Sequence, residues 1–351
     1  MSDKHSRGAD ALAHLVHSYF IWIVIGSYVV AALAPQLGIG LQKTRLLDAS
    51  LADWRVTASP TTVMLALLLF NAGLTTNSGE IRSLARKPVV VAAGALGNFL
   101  VPLTFILGAS FLLAFWHNSD ETQQILTGLA FIAAMPIAGA STAWAQSVNG
   151  NMSLSIGLVL ATTALSPLLT PFVLHSVAGL TTGDYSEDLH ELASGDSMSF
   201  LGAWVLFPSL LGIFAGRMAS AAAVGRVKPF LKLSNYATVV LLNYANASLS
   251  LPEVVKNPDI DFLAVLALVI VTLCACAFAA GWLCARASRA DRGETASLTF
   301  ALGMNNNGAG LSLASIAMPD HSGVLLAVIL YNLTQHFMAA LVDRLAFRER
   351  A

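Results

Sequence analysis

Charged residues are scarce in this chain. Asp, Glu, Lys and Arg make up 11% of its 351 residues, whereas hydrophobic residues make up 56%. A soluble globular domain carries roughly 25% charged residues. The deficit leaves too little charge to cover a water-exposed surface, so the composition predicts a polytopic membrane protein and excludes an ordinary soluble one. The formal net charge of −1 gives no electrostatic reason to expect nucleic acid as a partner.

Cysteine is also scarce. The three cysteines, Cys274, Cys276 and Cys284, lie in one apolar run, so the sequence predicts neither a disulfide framework nor a complete metal-ligand set. The N-terminal region is polar, and the first apolar run is not followed by a small-residue cleavage site. This pattern favours a retained first helix over a signal peptide. No cofactor is expected, apart from sodium as a coupling ion, which is taken up below.

Long apolar segments, by contrast, are abundant. A helix needs about 20 mainly apolar residues to span a bilayer. Ten such segments occur, at approximately residues 15–36, 60–77, 88–115, 124–147, 151–179, 199–220, 232–251, 261–286, 294–317 and 322–343. The connections between them are short, except for 37–59 and 181–198. We therefore predict an all-α polytopic membrane protein with ten transmembrane helices, in which residues 1–351 form a single integral membrane domain.

The distribution of basic residues predicts the orientation. Cytoplasmic loops of membrane proteins are enriched in Lys and Arg. If the N-terminus is cytoplasmic, all but four of the 19 Lys and Arg residues fall on the inside. The connection 181–198 is acidic and contains no Lys or Arg, so it suits the outside. We expect ten crossings of the cytoplasmic (plasma) membrane, with both termini cytoplasmic and the lipid bilayer as a partner.

Two of the ten segments contain residues that interrupt helices. The fourth, "LTGLAFIAAMPIAGASTAWAQSV", has Pro136 and Gly139 near its middle. The ninth, "ASLTFALGMNNNGAGLSLASIAM", has three consecutive asparagines between Gly303 and Gly308. Proline removes a backbone donor, and glycine and asparagine are weak helix formers that tolerate unwound backbone. We predict that both helices are discontinuous.

The positions of these interruptions indicate a binding site. The fourth and ninth segments occupy the same place in two halves of five, about 15–179 and 199–343, and an odd number makes the halves inverted repeats. Broken helices at matching positions of inverted repeats indicate a transporter site near the midplane, where they cross. The amides that begin each second half-helix favour an anion there. For either break alone the alternative is a packing kink, but three adjacent amides cannot all be satisfied by one neighbouring helix.

Several separated motifs resemble the bile acid:sodium symporter family. They are "FNAGLTTNSGEIRSLARKPVVVAAGALGNFLVP" (second and third helices), "MPIAGASTAWAQSVNGNMSLSIGLVLATTALSPLLTP" (fourth and fifth), "ALGMNNNGAGLSLAS" (ninth) and "YNLTQHF" (tenth). The resemblance covers about residues 60 to 342. It implies ten helices in two inverted repeats, with panel and core subdomains formed by helices of both repeats. It also implies elevator-like or rocking transport of organic anions, commonly coupled to sodium.

The resemblance also implies a set of sodium ligands. The family's ligand positions fall on Asn98, Ser141, Thr142, Ser155 and Asn305, with main-chain oxygens around Leu302 and Met304. Oxygen ligands suit a hard cation. Two positions depart from the family: Ala301 replaces a glutamate that bridges two sodium sites, and Val159 replaces a threonine. Losing a carboxylate costs a buried cation several kcal/mol of affinity, which leaves sodium coupling and sodium-independent transport as open alternatives.

The predicted substrate is a small organic anion, a carboxylate or a sulfonate. Its predicted binding residues surround both breaks and the polar cluster of the tenth helix: Gly139, Ala140, Ser141, Asn306, Asn307, Gly308, Asn332 and Thr334. His336 in the same cluster fits a substrate contact and an interhelical hydrogen bond equally well. A passive facilitator, a uniporter or an exchanger remains an alternative to an ion-coupled transporter. The membrane segments contain no HExxH motif and no catalytic aspartate pair, so an enzyme is not expected.

Overall fold

The computed structural model of the chain describes residue 19 and residues 22–51, 54–76 and 88–347. These residues divide into two compact units. Unit 1 contains the described residues up to Thr76 together with Phe200–Asn257. Unit 2 contains the described residues from 88 to Ser199 together with those from Pro258 onward. The prediction of panel and core subdomains drawn from both repeats stays a prediction.

The described residues are almost entirely helical. In chain order the helices are α1 (Trp22–Leu33), α2 (Gln36–Lys43), α3 (Pro60–Leu74), α4 (Pro88–Leu113), α5 (Ser119–Ala133), α6 (Ala140–Ser147), α7 (Met152–Ala178), α8 (Asp184–Glu191), α9 (Ser197–Leu201), α10 (Phe207–Met218), α11 (Ala221–Ala247), α12 (Leu251–Lys256), α13 (Ile260–Ala287), α14 (Arg292–Gly303), α15 (Asn307–Ala317) and α16 (Ser322–Val342). Short π-helical turns flank α9, at Leu192–Asp196 and Gly202–Leu206, and follow α16, at Asp343–Phe347. Two strands, β1 (Leu47–Leu51) and β2 (Trp54–Ala58), pair antiparallel.

Unit 1 contains the long connection from 37 to 59, and most of it forms secondary structure. Helices α1 and α2 meet at an angle of 90°, and α2 begins directly after Pro35. The β1–β2 hairpin follows, with Leu47 paired to Ala58. Apolar residues alternate along β1, and this strand of five residues is too short to register as a membrane segment.

Small residues bring two helices of unit 1 into backbone contact. A Cβ atom at Gly73 of α3 would lie 2.2 Å from the carbonyl oxygen of Ser209 in α10. A Cβ atom at Gly212 of α10 would lie 2.1 Å from the carbonyl oxygen of Phe70. Membrane helices use small residues at such crossings to let their backbones approach. The close contact between α3 and α10 therefore depends on glycine at both positions.

The acidic connection 181–198 is also more structured than expected. Helix α8 covers Asp184–Glu191, and the backbone leaves helical geometry at Gly195 before α9 begins. Tyr185, Leu189 and Leu192 are buried at intervals of four and three residues, which is the spacing of one helical face. The acidic side chains between them obscure this apolar face in the sequence.

The architecture confirms an all-α membrane protein at a coarser level than predicted. Five helical stretches among the described residues are long and apolar enough to cross a membrane, and the bent pair α1–α2 would make a sixth. The fourth and ninth predicted segments are each divided into two helices, so neither is a continuous span. The prediction of ten crossings in two inverted repeats is taken up under the proposed function.

Candidate functional site

Both predicted helix interruptions are present in unit 2. Helix α5 ends at Ala133 and α6 begins at Ala140, so the break contains Pro136. Helix α14 ends at Gly303 and α15 begins at Asn307, so the second break contains the first two of the three asparagines. The residues identified as helix breakers in the sequence therefore lie in the breaks themselves or at the helix ends that adjoin them.

The two breaks are hydrogen-bonded directly to each other. Ile137 and Asn305 lie opposite one another in an antiparallel β-bridge. The N–H of Ala138 donates to the carbonyl oxygen of Met304 at 2.8 Å, and the N–H of Asn306 donates to that of Pro136 at 2.8 Å. The unwound backbone of each segment thus satisfies part of the other, as open backbone at membrane depth requires.

Side chains satisfy the carbonyl groups at the end of α5. The amide of Asn305 donates to the oxygen of Ile132 at 2.7 Å, and the amide of Asn98 donates to that of Met135 at 3.0 Å. The hydroxyl of Thr170 donates to the oxygen of Ala134. A helix end leaves about four carbonyl groups without partners inside the helix. Here three distant side chains supply the missing donors.

Two further side chains accept hydrogen bonds from the broken backbone. The hydroxyl oxygen of Thr162 accepts from the N–H of Ile137 at 3.1 Å. The side-chain oxygen of Gln335 accepts from the N–H of Asn305 at 3.1 Å. Thr162, Gln335 and Thr170 all hold the two breaks, and none of them was among the predicted site residues. Thr162, Ser166 and Thr170 are fully buried and recur every four residues, so they form one polar face of α7. This spacing is the feature of the sequence that indicates a supporting role for these residues.

Four of the predicted sodium ligands share an unusual property. The side-chain oxygens of Asn98, Ser141, Ser155 and Asn305 are buried and have no hydrogen-bond partner among the described residues. Side-chain atoms of five other residues in the same unit are also buried without partners, but the family resemblance assigns none of them to sodium: Thr127, Ser197, Asn307, Ser312 and Tyr331. An unpartnered buried oxygen carries a desolvation cost, which a bound hard cation relieves. The four oxygens therefore fit sodium chemically.

The other predicted ligands differ from these four. Thr142 is half-exposed, and its hydroxyl already donates to the oxygen of Gly139 at 2.7 Å. The carbonyl oxygen of Met304 already accepts from Ala138. Leu302 is buried and belongs to an apolar cluster. Four of the predicted ligand oxygens therefore have no hydrogen-bond partner. Thr142 and Met304 already take part in hydrogen bonds, and Leu302 packs in an apolar cluster.

Both departures from the family pattern pack into one apolar cluster. Ala301 is fully buried there beside Leu158 and Leu298, and Val159 packs against the same cluster. A carboxylate at position 301 would lie among apolar side chains, where an unpaired charge costs several kcal/mol. The cluster leaves no cation ligand at either position.

Backbone donors lie open at the start of each second half-helix. Among the described residues, none accepts a hydrogen bond from the N–H of Gly139, Ala140 or Gly308. Gly139 and Ala140 are exposed and Gly308 is half-exposed. Open N–H groups at helix N-termini attract anions through their dipoles. These three predicted substrate residues therefore form donors accessible from the surface of unit 2.

The remaining predicted substrate residues differ in their surroundings. Asn306 caps α15 by accepting from the N–H of Ala309 at 3.3 Å, whereas the side chain of Asn307 is buried. Asn332 on α16 accepts from the side-chain amide of Gln335 at 3.3 Å, which links it to the second break. Thr334 is half-buried on the same helix. Ser141 is the predicted residue shared by the cation and substrate sets.

Comparison with known proteins identifies the family. The model of the Sodium Bile acid symporter family matches residues 62–257, more than half of the chain. The chain belongs to this family. The resemblance seen in its motifs is thereby confirmed, and the protein is an integral membrane protein of a transporter family.

Two relatives from Bacillus subtilis (strain 168) match most of the chain. "Uncharacterized protein YbaS" is 29% identical over 281 residues, which cover 79% of this chain and 85% of the relative. "Uncharacterized sodium-dependent transporter YocS" is 23% identical over 292 residues, which cover 83% of this chain and 84% of the relative. The family and the name of YocS both point to transport.

Proposed function

We propose that this symporter-family protein is a secondary active transporter. It moves a small organic anion, a carboxylate or a sulfonate, across the cytoplasmic membrane by alternating access, coupled to one sodium ion. Ten crossings in two inverted repeats, with both termini cytoplasmic, are part of this proposal. The interruption of the fourth and ninth segments supports the repeats, and the concentration of Lys and Arg on one side supports the orientation.

The open N–H groups of Gly139, Ala140 and Gly308 support an anionic substrate. They begin the two second half-helices, whose N-termini carry partial positive charge. Gly139 and Gly308 have no side chains to shield these groups. A carboxylate or sulfonate offers several oxygens, so it can accept from donors on both half-helices together.

The observation that carries the cation assignment is the set of four buried oxygens on Asn98, Ser141, Ser155 and Asn305 that lack a partner. They are neutral, and the family's bridging carboxylate is absent. A sodium ion held only by neutral groups leaves its charge without compensation, and a lone anion at the helix ends does the same. Binding both neutralises the site, which gives a physical basis for coupled uptake.

One sodium ion is proposed because the apolar cluster occupies the region where a second ion would need ligands. Ala301 and Val159 both contribute to that cluster. A single coupling ion predicts a Hill coefficient of about 1 for sodium in any sodium-dependent signal. The name of the relative YocS, a sodium-dependent transporter, supports coupling without indicating a stoichiometry.

The same alanine favours a second candidate function. Without the glutamate, the site has less attraction for a cation, so a sodium-independent uniporter, an exchanger or a passive facilitator of organic anions is the alternative. Such a protein would use the open N–H groups in the same way. The unpartnered oxygens would then be satisfied by water.

Thermal stability of the purified protein distinguishes the two. The protein is heated with a panel of small carboxylates, sulfonates and steroid acids, in sodium chloride and in potassium chloride of equal concentration. A ligand that binds the folded state raises stability with the logarithm of its concentration. Coupling predicts shifts in sodium that are absent in potassium. Equal shifts in both salts would refute coupling and support the sodium-independent candidate.

A further inference from the structure

A polar cavity lies in unit 2 at the start of α14, at the opposite end of that helix from the second break. Its volume is about 430 Å³, and it is lined by Trp282, Arg286, Arg289, Ala290, Arg292, Thr295, Ala346 and Phe347. Three of these residues are arginines, and no described residue of the lining is acidic. Helix α14 separates Arg292 from Gly303 by 11 residues, or about 16 Å at 1.5 Å per residue. The cavity is therefore distinct from the transport site.

Two of the arginines are held in place by contacts of their own. The guanidinium group of Arg286 lies over the Trp282 ring, 4.3 Å from its centroid. Arg292 donates from Nη2 to the carbonyl oxygen of Phe347 at 2.8 Å. A guanidinium group presents five donors in a plane, so the stacking of Arg286 on Trp282 aims the donors of Arg286 in set directions. Planar, preorganised donors suit the oxygens of a phosphate group.

Arg289 occupies a backbone position that normally takes glycine. Its φ is +53°, in the left-handed region. The N–H of Ala290 donates to the oxygen of Ala285 at 2.9 Å, and the N–H of Arg289 donates to that of Arg286 at 3.1 Å. This is the Schellman ending of a helix, for which glycine or asparagine is favoured. The turn after α6 follows that preference with Asn149, so the turn alone does not account for Arg289.

The surroundings of the cavity indicate a lipid as its occupant. Leu283, next to Trp282 on α13, is 58% exposed, and Leu345, next to Ala346, is 73% exposed. Exposed leucines beside a tryptophan and several arginines are typical of the level where the acyl chains of a bilayer meet its headgroups. The nearby Asp291 and Glu294 form the reciprocal cap of α14, so their carboxylates have partners.

We propose that this cavity binds the phosphate headgroup of an anionic phospholipid. Arg286, Arg289 and Arg292 contact the phosphate oxygens, while Leu283 and Leu345 contact the acyl chains. In the proposed orientation this lipid belongs to the cytoplasmic leaflet, whose surface carries the negative charge of anionic lipids. The site joins the end of α13 and the start of α14 to the turn Asp343–Phe347.

Native mass spectrometry of the full chain in detergent tests this site with phosphatidylglycerol, phosphatidylcholine and inorganic phosphate as probes. Each surface arginine contributes about a fivefold preference for anionic lipid, so Arg286→Gln with Arg289→Gln is expected to weaken phosphatidylglycerol binding about 25-fold. Arg45→Gln removes an exposed charge on the side predicted to face outward, away from the cytoplasmic leaflet, and is expected to leave binding unchanged. Equal loss in this control, or no loss in the double variant, would overturn the proposal.

Arg289→Gly separates binding from folding. Glycine suits the left-handed backbone, so the melting temperature in lipid-free detergent is expected to stay the same or rise, while phosphatidylglycerol binding falls about fivefold. Unchanged lipid binding in this variant would overturn the assigned role of Arg289. If inorganic phosphate stabilises the native protein as strongly as phosphatidylglycerol does, the occupant is a soluble anion and the lipid assignment is wrong.

Discussion

The side chain of Asn305 donates to the carbonyl oxygen of Ile132 at 2.7 Å, while its own oxygen stays buried without a partner. One amide therefore has two roles. Its nitrogen joins the second break to the end of α5, and its oxygen is left for a cation. Asn98 repeats this arrangement with Met135. The donors of both amides are used for structure and the acceptors remain for binding.

The first prediction compares two buried serines of α7. The hydroxyl of Ser155 has no partner, whereas that of Ser166 donates to the oxygen of Thr163 at 2.9 Å. Ser155→Ala removes an unsatisfied group, so in potassium we expect the free energy of unfolding to stay level or rise by up to about 1 kcal/mol. The sodium-dependent rise in melting temperature is expected to vanish. Ser166→Ala is the control and should keep that rise; a normal sodium response in Ser155→Ala would exclude this serine as a ligand.

The second prediction concerns the hydroxyl that supports the first break. Thr162→Val leaves the N–H of Ile137 buried without an acceptor, and we expect the free energy of unfolding to fall by about 1–3 kcal/mol. Thr162→Ser keeps the hydroxyl and should recover most of the loss. Chemical unfolding in mixed micelles measures both changes. Equal stability of the valine variant and the native protein would show that water replaces Thr162 at this position.

The third prediction separates substrate binding from folding at Gly139. A Cβ atom there meets nothing within 4 Å, and the backbone φ of −58° suits any residue. Gly139→Ala is therefore expected to keep its melting temperature, while its methyl group hinders access to the N–H groups of Gly139 and Ala140. Ligand-induced stabilisation and uptake into proteoliposomes should both fall.

Gly108 supplies the control for that variant. A Cβ atom at Gly108 in α4 also meets nothing within 4 Å, but this residue lies outside the predicted site. Gly108→Ala should leave uptake unchanged. Loss of uptake in both variants, or in neither, would argue against an anion site at the start of α6.

The fourth prediction concerns the end of α14. A Cβ atom at Gly303 would lie 2.5 Å from the Phe278 ring of α13, closer than packed atoms tolerate. Gly303→Ala is expected to lower the free energy of unfolding by about 1–3 kcal/mol through overpacking. Adding Phe278→Leu should recover part of this loss, and a double-mutant cycle measures the coupling between the two sites. Additive effects would mean that the helices move apart instead.

The sequence predicted the breaks well because their causes are local. Pro136 cannot continue a helix, and three asparagines beside Gly303 and Gly308 disfavour one wherever they occur. It could not predict the partners of these breaks. Asn305 and Ile132 are 173 residues apart, and Thr170 is 36 residues from Ala134. Such pairings depend on how the helices are rotated and placed, which residue types alone do not specify.

The candidate site was also predictable only in part. Residue types and family resemblance identified Asn98, Ser141, Ser155 and Asn305, but only the structure distinguishes their unpartnered oxygens from the bonded hydroxyl of Thr142. The apolar packing around Ala301 could not be predicted from the sequence either. Its neighbours in the cluster come from α7, α13 and the first break as well as from α14. The burial of Ala301 therefore depends on how all these elements pack together.

The contact between the two breaks has a consequence for the order of synthesis. Ile132 and Pro136 emerge from the ribosome long before Asn305 and Asn306, which supply their donors. Until the ninth segment arrives, the carbonyl group of Pro136 lacks its final donor, whereas that of Ile132 already accepts from the N–H of Met135 in the same segment. An unsatisfied carbonyl group is costly within a bilayer. The first half of the chain therefore completes its fourth segment only after most of the second half has been translated.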